Sequence, residues 1–422
     1  MRQTGLPARR TAHYLLMQIT GEGRLVSELI ADGALSDLSA EDRARAQRLA
    51  TEALRGLDRA DRMLKPYLKK TPPDHVVNAL RLGVIELCGG EAAHGVVNAY
   101  VEIVGRNKRT QSMKGLTNAV LRKIAAEGPE GWAKRPVPLT PGWLRQPLVA
   151  AWGRDAVVGM EAAHFAGASL DLTVKGDPKT VAKAVGGNVL PTGSVRVTDA
   201  GQVSALPGYE AGDWWVQDAA AVIPVKALGD VKGLKVVDLC AAPGGKAMQL
   251  AAGGADVTAV DMSERRMARV TQNLSRVGLK ARTVVSDAFA FTEKGFDAVL
   301  LDAPCSATGT IRRHPDLPYA KDGSEFGMLI DQQARMIDHA VTLLKPGGRL
   351  MFCTCSLLPD EGEVQVEEAL ERHQELEILP IDIPGIDQSW HSDEGGLRLR
   401  PDYWPDRGGM DGFYLALLRK PA

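Results

Sequence analysis

From residue 232 to the end of the chain, short continuously apolar runs alternate with helix-length segments, and that alternation permits few folds. The runs are LKVVDLC (234–240), DVTAVDM (256–262), ARTVVSD (281–287), FDAVLLDAPC (296–305), GRLMFCTCS (348–356) and GFYLALLRK (412–420). Strands buried on both faces read this way, without the in-out alternation of a half-exposed sheet. They predict a doubly wound parallel sheet with helices on both sides. In such sheets ligands bind outside the carboxyl ends of the strands. Nearly every run here ends in Asp, Cys or Gly, so the chemistry is expected at those ends.

The first third of the chain follows another grammar. Up to about residue 127, segments such as AEDRARAQRLATEALRGLDRADRMLKPYL and GLTNAVLRKIAAEG repeat apolar residues at three-to-four spacing, which predicts an all-helical domain. Gly21/Gly23, Pro72-Pro73 and Gly89-Gly90 punctuate it, and GPEGWAKRPVPLTPG reads as a linker. Next come a helical segment from Trp143 to Phe165, a strand LDLTVKG, a helix DPKTVAKAVGG and short extended runs ending in WWVQDAAAVIP, which together predict a small α/β module. The expected domains are therefore 1–130, 140–225 and 226–422. The net charge of −1 hides a segregation: residues 1 to 135 hold 22 Lys and Arg against 15 Asp and Glu, and the remainder 29 against 37. Basic clusters such as Arg106 to Gly115 could meet phosphates or form a solvated helical face.

Composition excludes several classes. No apolar run approaches the length that spans a bilayer, and the first residues lack the apolar core of a secretory signal, so a cytoplasmic protein with no membrane partner is expected. The five cysteines (Cys88, Cys240, Cys305, Cys353 and Cys355) are too few and too irregular for a disulfide framework. Cys353 and Cys355 form a C-x-C with no second pair and no histidine cluster at zinc spacing, so no metal is expected. Cys88, Cys240 and Cys353 fit the usual role of free cysteine as a small buried hydrophobe.

The stretch Asp238-Leu239-Cys240-Ala241-Ala242-Pro243-Gly244-Gly245-Lys246 runs from a strand through a glycine turn into a helix. Its glycines would let backbone N–H groups approach a ligand, and Asp261 and Asp287 end the next two strands, the first of them where a ribose hydroxyl pair is usually held. The turn is neither G-x-G-x-x-G nor a P-loop, which favours a single-nucleoside cofactor such as S-adenosylmethionine. At the fourth strand end stands Asp302-Ala303-Pro304-Cys305, and at the fifth Cys355. These two strands are neighbours in the usual order of such sheets, so both thiols should face one cleft. A thiolate there could add to carbon 6 of a cytosine and make carbon 5 nucleophilic, while Asp302 meets the ring N3 or amino group.

The motifs DLCAAPGGK, AVDMSERRMARV, LLDAPCSATGTIRRHPD and CTCSLLPDEGE resemble those of the RNA cytosine-C5 methyltransferases of the Nop2/Sun group. The resemblance implies a Rossmann-like S-adenosylmethionine-dependent domain, with Cys355 as nucleophile and Cys305 assisting release. It places the cofactor on Cys240, Ala241, Ala242, Pro243, Gly244, Gly245, Lys246, Asp261, Arg266, Asp287 and Asp302. The helical domain, through VNAY and GLTNAVLRKI, resembles the NusB-type RNA-binding domain, and the module after it resembles an RRM-like linker. Within the group that combination implies 16S ribosomal RNA as substrate, unassembled or in early assembly, and a monomeric enzyme. A tRNA cytosine-C5 methyltransferase and a non-catalytic assembly or antitermination factor are the alternatives. Two positions depart from the family pattern: Gly362 stands where Asn is common, and LTVKG lacks an Arg-x-Asn. Arg312-Arg313-His314, just beyond Cys305, could grip a target phosphate or form a solvated loop.

Overall fold

The computed structural model describes residues 5–198 and 200–422. Its contacts divide the chain into two compact units: the chain up to Gly167 together with Ile311–Asp322, and Ala168–Thr310 together with Gly323–Ala422.

The first unit is helical. Its centre is the helix Asp74–Cys88, in which twelve of fifteen residues are buried. A helix apolar nearly all round can only sit inside others, and Leu6–Glu22, Ala40–Arg55, Leu57–Leu64, Ala93–Arg106 and Lys114–Ala133 surround it. Gly83 allows one close approach: a Cβ there would lie 2.5 Å from Leu121. The buried Glu86 carboxylate is neutralised by Arg9 (2.7 and 2.8 Å) and Arg45 (3.0 Å) and accepts the Tyr100 hydroxyl (2.8 Å). A buried charge is tolerated when paired and hydrogen-bonded in this way.

The proline-rich exit does not hang free. Arg59 donates to the Pro136 carbonyl (2.9 Å) and lies over the rings of Trp132 and Phe165. The helices Gly142–Trp152 and Arg154–Ala166, expected in the α/β module, pack in this unit, where Glu161 holds Arg145 (2.9 Å) and the Thr140 amide (2.8 Å). Ile311–Asp322 joins them: Trp143 donates to the Pro318 carbonyl (3.0 Å), Arg55 to that of Arg312 (2.9 Å), and Asp316 accepts the Val26 amide (2.8 Å). Arg312 is fully buried, so it is neither an open phosphate grip nor part of a solvated loop, whereas Arg313 and His314 are exposed.

The second unit holds two sheets. The smaller is antiparallel, built from β1 (Leu170–Val174), β2 (Asn188–Val189), β3 (Val195–Val197) and β4 (Trp214–Val216) in the order β2-β3-β1-β4. Its helix Pro178–Val185 starts on Asp177, whose carboxylate accepts the amides of Lys179 and Thr180. The larger contains β5 (Lys235–Leu239), β6 (Asp256–Asp261), β7 (Arg282–Val285), β8 (Phe296–Asp302), β9 (Leu344–Thr354), β10 (Glu377–Leu379), β11 (Leu397–Leu399) and β12 (Phe413–Arg419). Its order is β10-β12-β9-β8-β5-β6-β7, with β11 on β12.

Strands β5 to β9 pair in parallel, and the order reverses between β5 and β8, the switch point at which such sheets open a crevice. The sheet is not parallel throughout: β12 runs antiparallel to β9, β10 and β11. The thirteen residues between β11 and β12 contain only the short turn Pro405–Arg407, too little for the helical crossover a parallel return requires. Both faces of the parallel part are covered. Ala298, Leu300, Met351 and Cys353 face one core, and Val299, Leu301, Leu350 and Phe352 the other.

Candidate active site

The carboxyl ends of β5, β6, β8 and β9 converge. After β5 the chain turns sharply, with Cys240 at φ 63° and Gly244 at φ 102°, before the helix Gly245–Ala252 begins. A Cβ on Gly244 would come within 3.1 Å of Val270, so the turn packs tightly on the helix Glu264–Arg276. That helix braces it further: Arg266 donates to the Ala242 carbonyl (2.8 Å) and Asn273 to that of Pro243 (3.0 Å). Asp261, at the end of β6, is buried and accepts the amides of Ala242 (3.2 Å) and Ser263 (3.0 Å), with Arg266 3.5 Å away.

At the base of the turn Asp238 is fully buried, and among the described residues neither carboxylate oxygen has a hydrogen-bond partner. Burial, with Asp302 nearby, holds this carboxyl well above the usual carboxylate range. Lys246 reaches across to Asp302 (2.7 Å) and lies over the Phe413 ring. Burial works against its charge, but Asp302 outweighs it and the ammonium is raised above the ordinary lysine range. The Cys353 thiol faces the other Asp302 oxygen at 3.6 Å. Cys240 is a protonated thiol, pushed up to about 12 by burial and by Asp302 and Asp261.

Asp302 stands opposite Cys353 in the β8–β9 register. Three residues beyond Asp302 and two beyond Cys353, the Cys305 and Cys355 sulfurs lie 3.4 Å apart, both partly exposed. The proximity of Cys355, together with burial, raises Cys305 well above an ordinary thiol. Cys88 and Cys353 are buried in the cores.

The loops that carry these thiols are tied by groups that sequence reasoning left out. Gly309 donates its amide to the Cys355 carbonyl (2.9 Å), and its own carbonyl accepts the Gly412 amide (2.8 Å). A Cβ on Gly309 would lie 2.0 Å from the Gly412 oxygen. Glu361, fully buried, accepts from both Ser306 and Ser356. The signal for that contact is a Cys-Ser pair at Cys305 and Cys355 and at no other cysteine. Asp287 is not gathered in: it is exposed at the end of β7, two strands from β5, and accepts the Phe289 amide (2.7 Å). Gly362 also has a physical reason, since a Cβ there would meet Arg398 at 2.5 Å and Tyr414 at 2.7 Å, leaving no room for Asn.

Residues 225–419 match the family described as 16S rRNA methyltransferase RsmB/F, and residues 6–126 match the NusB family. The ribosomal RNA small subunit methyltransferase B of Xanthomonas campestris is 33% identical, over 99% of this chain and 98% of its own. That of Pseudomonas putida is also 33% identical, over 99% of both. The chain belongs to this methyltransferase family. The crystal structure of PH0851 covers 100% of this chain and 99% of its own at TM-score 0.76 and 23% identity, which shows the same fold. A methyltransferase homologue from Pyrococcus horikoshii covers 65% of this chain and 94% of its own at TM-score 0.56 and 26% identity. The family is S-adenosylmethionine-dependent. The turn suits such a ligand, because the unpartnered Asp238 carboxyl calls for a donor or a positive charge. Among the described residues no group of His, Cys, Asp and Glu is arranged to hold a metal ion, and no helix is long and apolar enough to cross a membrane.

Two substitutions test this geometry. Asp261→Ala leaves the amides of Ala242 and Ser263 unpaired, so stability should fall by about 1–3 kcal/mol. S-adenosylmethionine affinity by calorimetry should fall at least about tenfold, or ~1.4 kcal/mol; unchanged affinity would move the cofactor elsewhere. Gly309→Ala meets backbone that cannot yield, so it should cost roughly 1–3 kcal/mol in thermal unfolding and most of the methyl transfer. A variant as stable and active as the parent would show that the contact is not needed.

Proposed function

We propose that the protein methylates carbon 5 of a cytosine in small-subunit ribosomal RNA through a covalent adduct with Cys355. The observation that carries this reading is the 3.4 Å approach of two thiols beside the Lys246–Asp302 pair. S-adenosylmethionine, when bound, supplies the electrophilic methyl group. The residues that would hold it are the turn Cys240 to Lys246, with Asp238, Asp261 and Arg266 around it; Asp287 would contribute from the rim.

The Cys355 thiolate adds to carbon 6 of the cytosine, forming a C–S bond and moving the 5,6 π electrons to carbon 5. Carbon 5 donates that electron pair to the methyl group; a base, water at its simplest, then takes the carbon 5 proton, the C–H electrons re-form the 5,6 double bond, and the C–S bond breaks to release the Cys355 thiolate. Asp302, held by Lys246, would accept from the exocyclic amine, or from the ring N3 once that nitrogen carries a proton. Cys305 is the thiol kept protonated, by its neighbour Cys355 and by burial. The resemblance of its TCS motif assigns Cys355 the nucleophile's role, and Cys305, 3.4 Å from that sulfur, is the thiol positioned to assist release. The target base must leave its stack to reach both sulfurs.

Small-subunit ribosomal RNA is favoured over tRNA because the full-length relatives, matched through the helical unit as well, carry that substrate in their names. The paired cysteines argue against a non-catalytic factor. The same reading places the protein in the cytoplasm as a monomer, acting on RNA before or early in subunit assembly. Exposed Lys108 and Arg109, in the turn after the helix Ala93–Arg106, are the side chains we assign to phosphate contact.

Exchanging Lys108 and Arg109 together for Glu should weaken ribosomal RNA binding and lower the slope of log affinity against log salt by about 1.5–2. An unchanged slope would take that turn out of the interface. The cysteine roles separate in kind. Cys355→Ala should abolish both methylation and the covalent complex, whereas Cys305→Ala should accumulate a protein–RNA species that survives denaturing electrophoresis. The reverse pattern would exchange the two roles.

A further inference from the structure

Each of the two reactive-site cysteines is followed by a serine, and both serines end on one carboxylate. Glu361 lies in the short turn Pro359–Glu361 beyond β9 and has no exposed surface. Its Oε1 accepts the Ser306 amide (2.9 Å) and the Gln333 side-chain amide (3.1 Å). Its Oε2 accepts the hydroxyls of Ser306 (2.5 Å) and Ser356 (2.5 Å). Thr308 closes the ring, with its hydroxyl 3.2 Å from that of Ser306 and 3.3 Å from that of Ser356.

The ties extend to the backbone on either side of each cysteine. Gln333 also donates to the Pro304 carbonyl (2.8 Å), so the peptides before and after Cys305 share one anchor. On the other loop Thr354 donates to the Glu361 carbonyl (2.8 Å), fixing the residue before Cys355 as Ser356 fixes the one after. Four donors converging on a buried carboxylate form charge-assisted bonds, the strong kind. Among the described residues, the side-chain hydrogen bonds of Glu361 run to Ser306, Ser356 and Gln333 and to neither sulfur nor the cofactor turn. Its carboxylate acts on the chemistry through what it holds, and its negative charge adds to the forces that keep Cys305 protonated.

We propose that Glu361 is the positioning residue that sets the separation of the Cys305 and Cys355 thiols, by clamping the two Cys-Ser loops to a single carboxylate. This rests on the reading that both cysteines serve the reaction, yet the separation itself can be measured without RNA or cofactor.

The experiment compares the full-length parent with Glu361→Ala, Glu361→Gln, Ser306→Ala and Ser356→Ala. One readout is the rate at which diamide, a two-electron thiol oxidant, converts the two thiols into a Cys305–Cys355 disulfide. Each sulfur loses its proton, the S–S bond forms, and diamide is reduced to its hydrazine by the two electrons and two protons. The others are kcat and KM for methylation and the pH profile of iodoacetamide labelling at Cys305. Glutamine can keep the carbonyl contacts while its NH2 donates to the two hydroxyls, which can turn to accept. It therefore separates geometry from charge.

Glu361→Ala should slow disulfide formation at least about tenfold and lower kcat by a similar factor, with KM within about threefold, because misplacement of reacting groups falls on the chemical step. Glu361→Gln should restore the disulfide rate to within about threefold of the parent, while Cys305 labels at lower pH because the carboxylate charge is gone. Each serine variant should show a partial slowing, and these two decide the matter if Glu361→Ala does not fold. Parental disulfide rates and kcat in the alanine variant, or parental disulfide rates in both serine variants, would overturn the proposal. A parent enzyme that methylates RNA with both cysteines replaced would instead defeat the two-thiol chemistry and leave the clamp standing.

Discussion

The parallel register of β8 against β9 is the constraint on which the site depends. With Asp302 opposite Cys353, the chains leave the sheet side by side, and three residues on one and two on the other bring Cys305 and Cys355 to 3.4 Å. A slip of one residue would turn every side chain of a strand to the opposite face. Cys353 and Cys355 would then leave the core and cleft they occupy. The register is held because both faces are buried: Leu350 and Phe352 fill one core while Met351 and Cys353 fill the other. The apolar runs that define the fold therefore also fix the sulfur geometry.

Around those strand ends, polar groups do what packing cannot. A loop outside a sheet has backbone groups to satisfy, and here they are satisfied by the residues that carry or flank the chemistry. Asp261 closes the turn after β6 onto that after β5, Arg266 holds the Ala242 carbonyl, and Gly309 and Gly412 approach so closely that neither tolerates a side chain. The site is thus pre-organised by short-range contacts between loops, each carried on a rigid strand, which is how a protein holds reacting groups within a fraction of an ångström.

The strands were legible because burial on both faces erases polar alternation, and the two cysteines because adjacent strand ends bring distant residues together. Other features left weaker traces. The return of Ile311–Asp322 to the helical unit depends on partners such as Trp143 and Arg55, more than 150 residues away, and no local pattern encodes it. Arg312 in RRH reads as surface charge, yet its burial is decided by that packing. The antiparallel edge was hidden because GFYLALLRK is as apolar as the parallel strands, and direction is set by the connection before it. Glu361 sits in an acidic run that resembles a solvated turn; only the repeated Cys-Ser pair hinted at its burial.

The charge balance of the cofactor turn follows the same logic of completion. Three acids crowd the ends of β5, β6 and β8. Asp302 is neutralised by Lys246, and Asp261 is satisfied by two amides with Arg266 nearby. Asp238 has neither, and its raised pKa expresses the cost of holding an unpaired charge in the interior. A protonated acid at that position is the cheapest state of the turn by itself. A ligand that brings donors or a positive charge changes the balance, favouring the ionised carboxylate and gaining a charge-assisted bond. Asp238 is the one of the three acids whose side chain the turn leaves without a hydrogen-bond partner among the described residues, and the register that buries it near the carboxyl end of β5 is what withholds one.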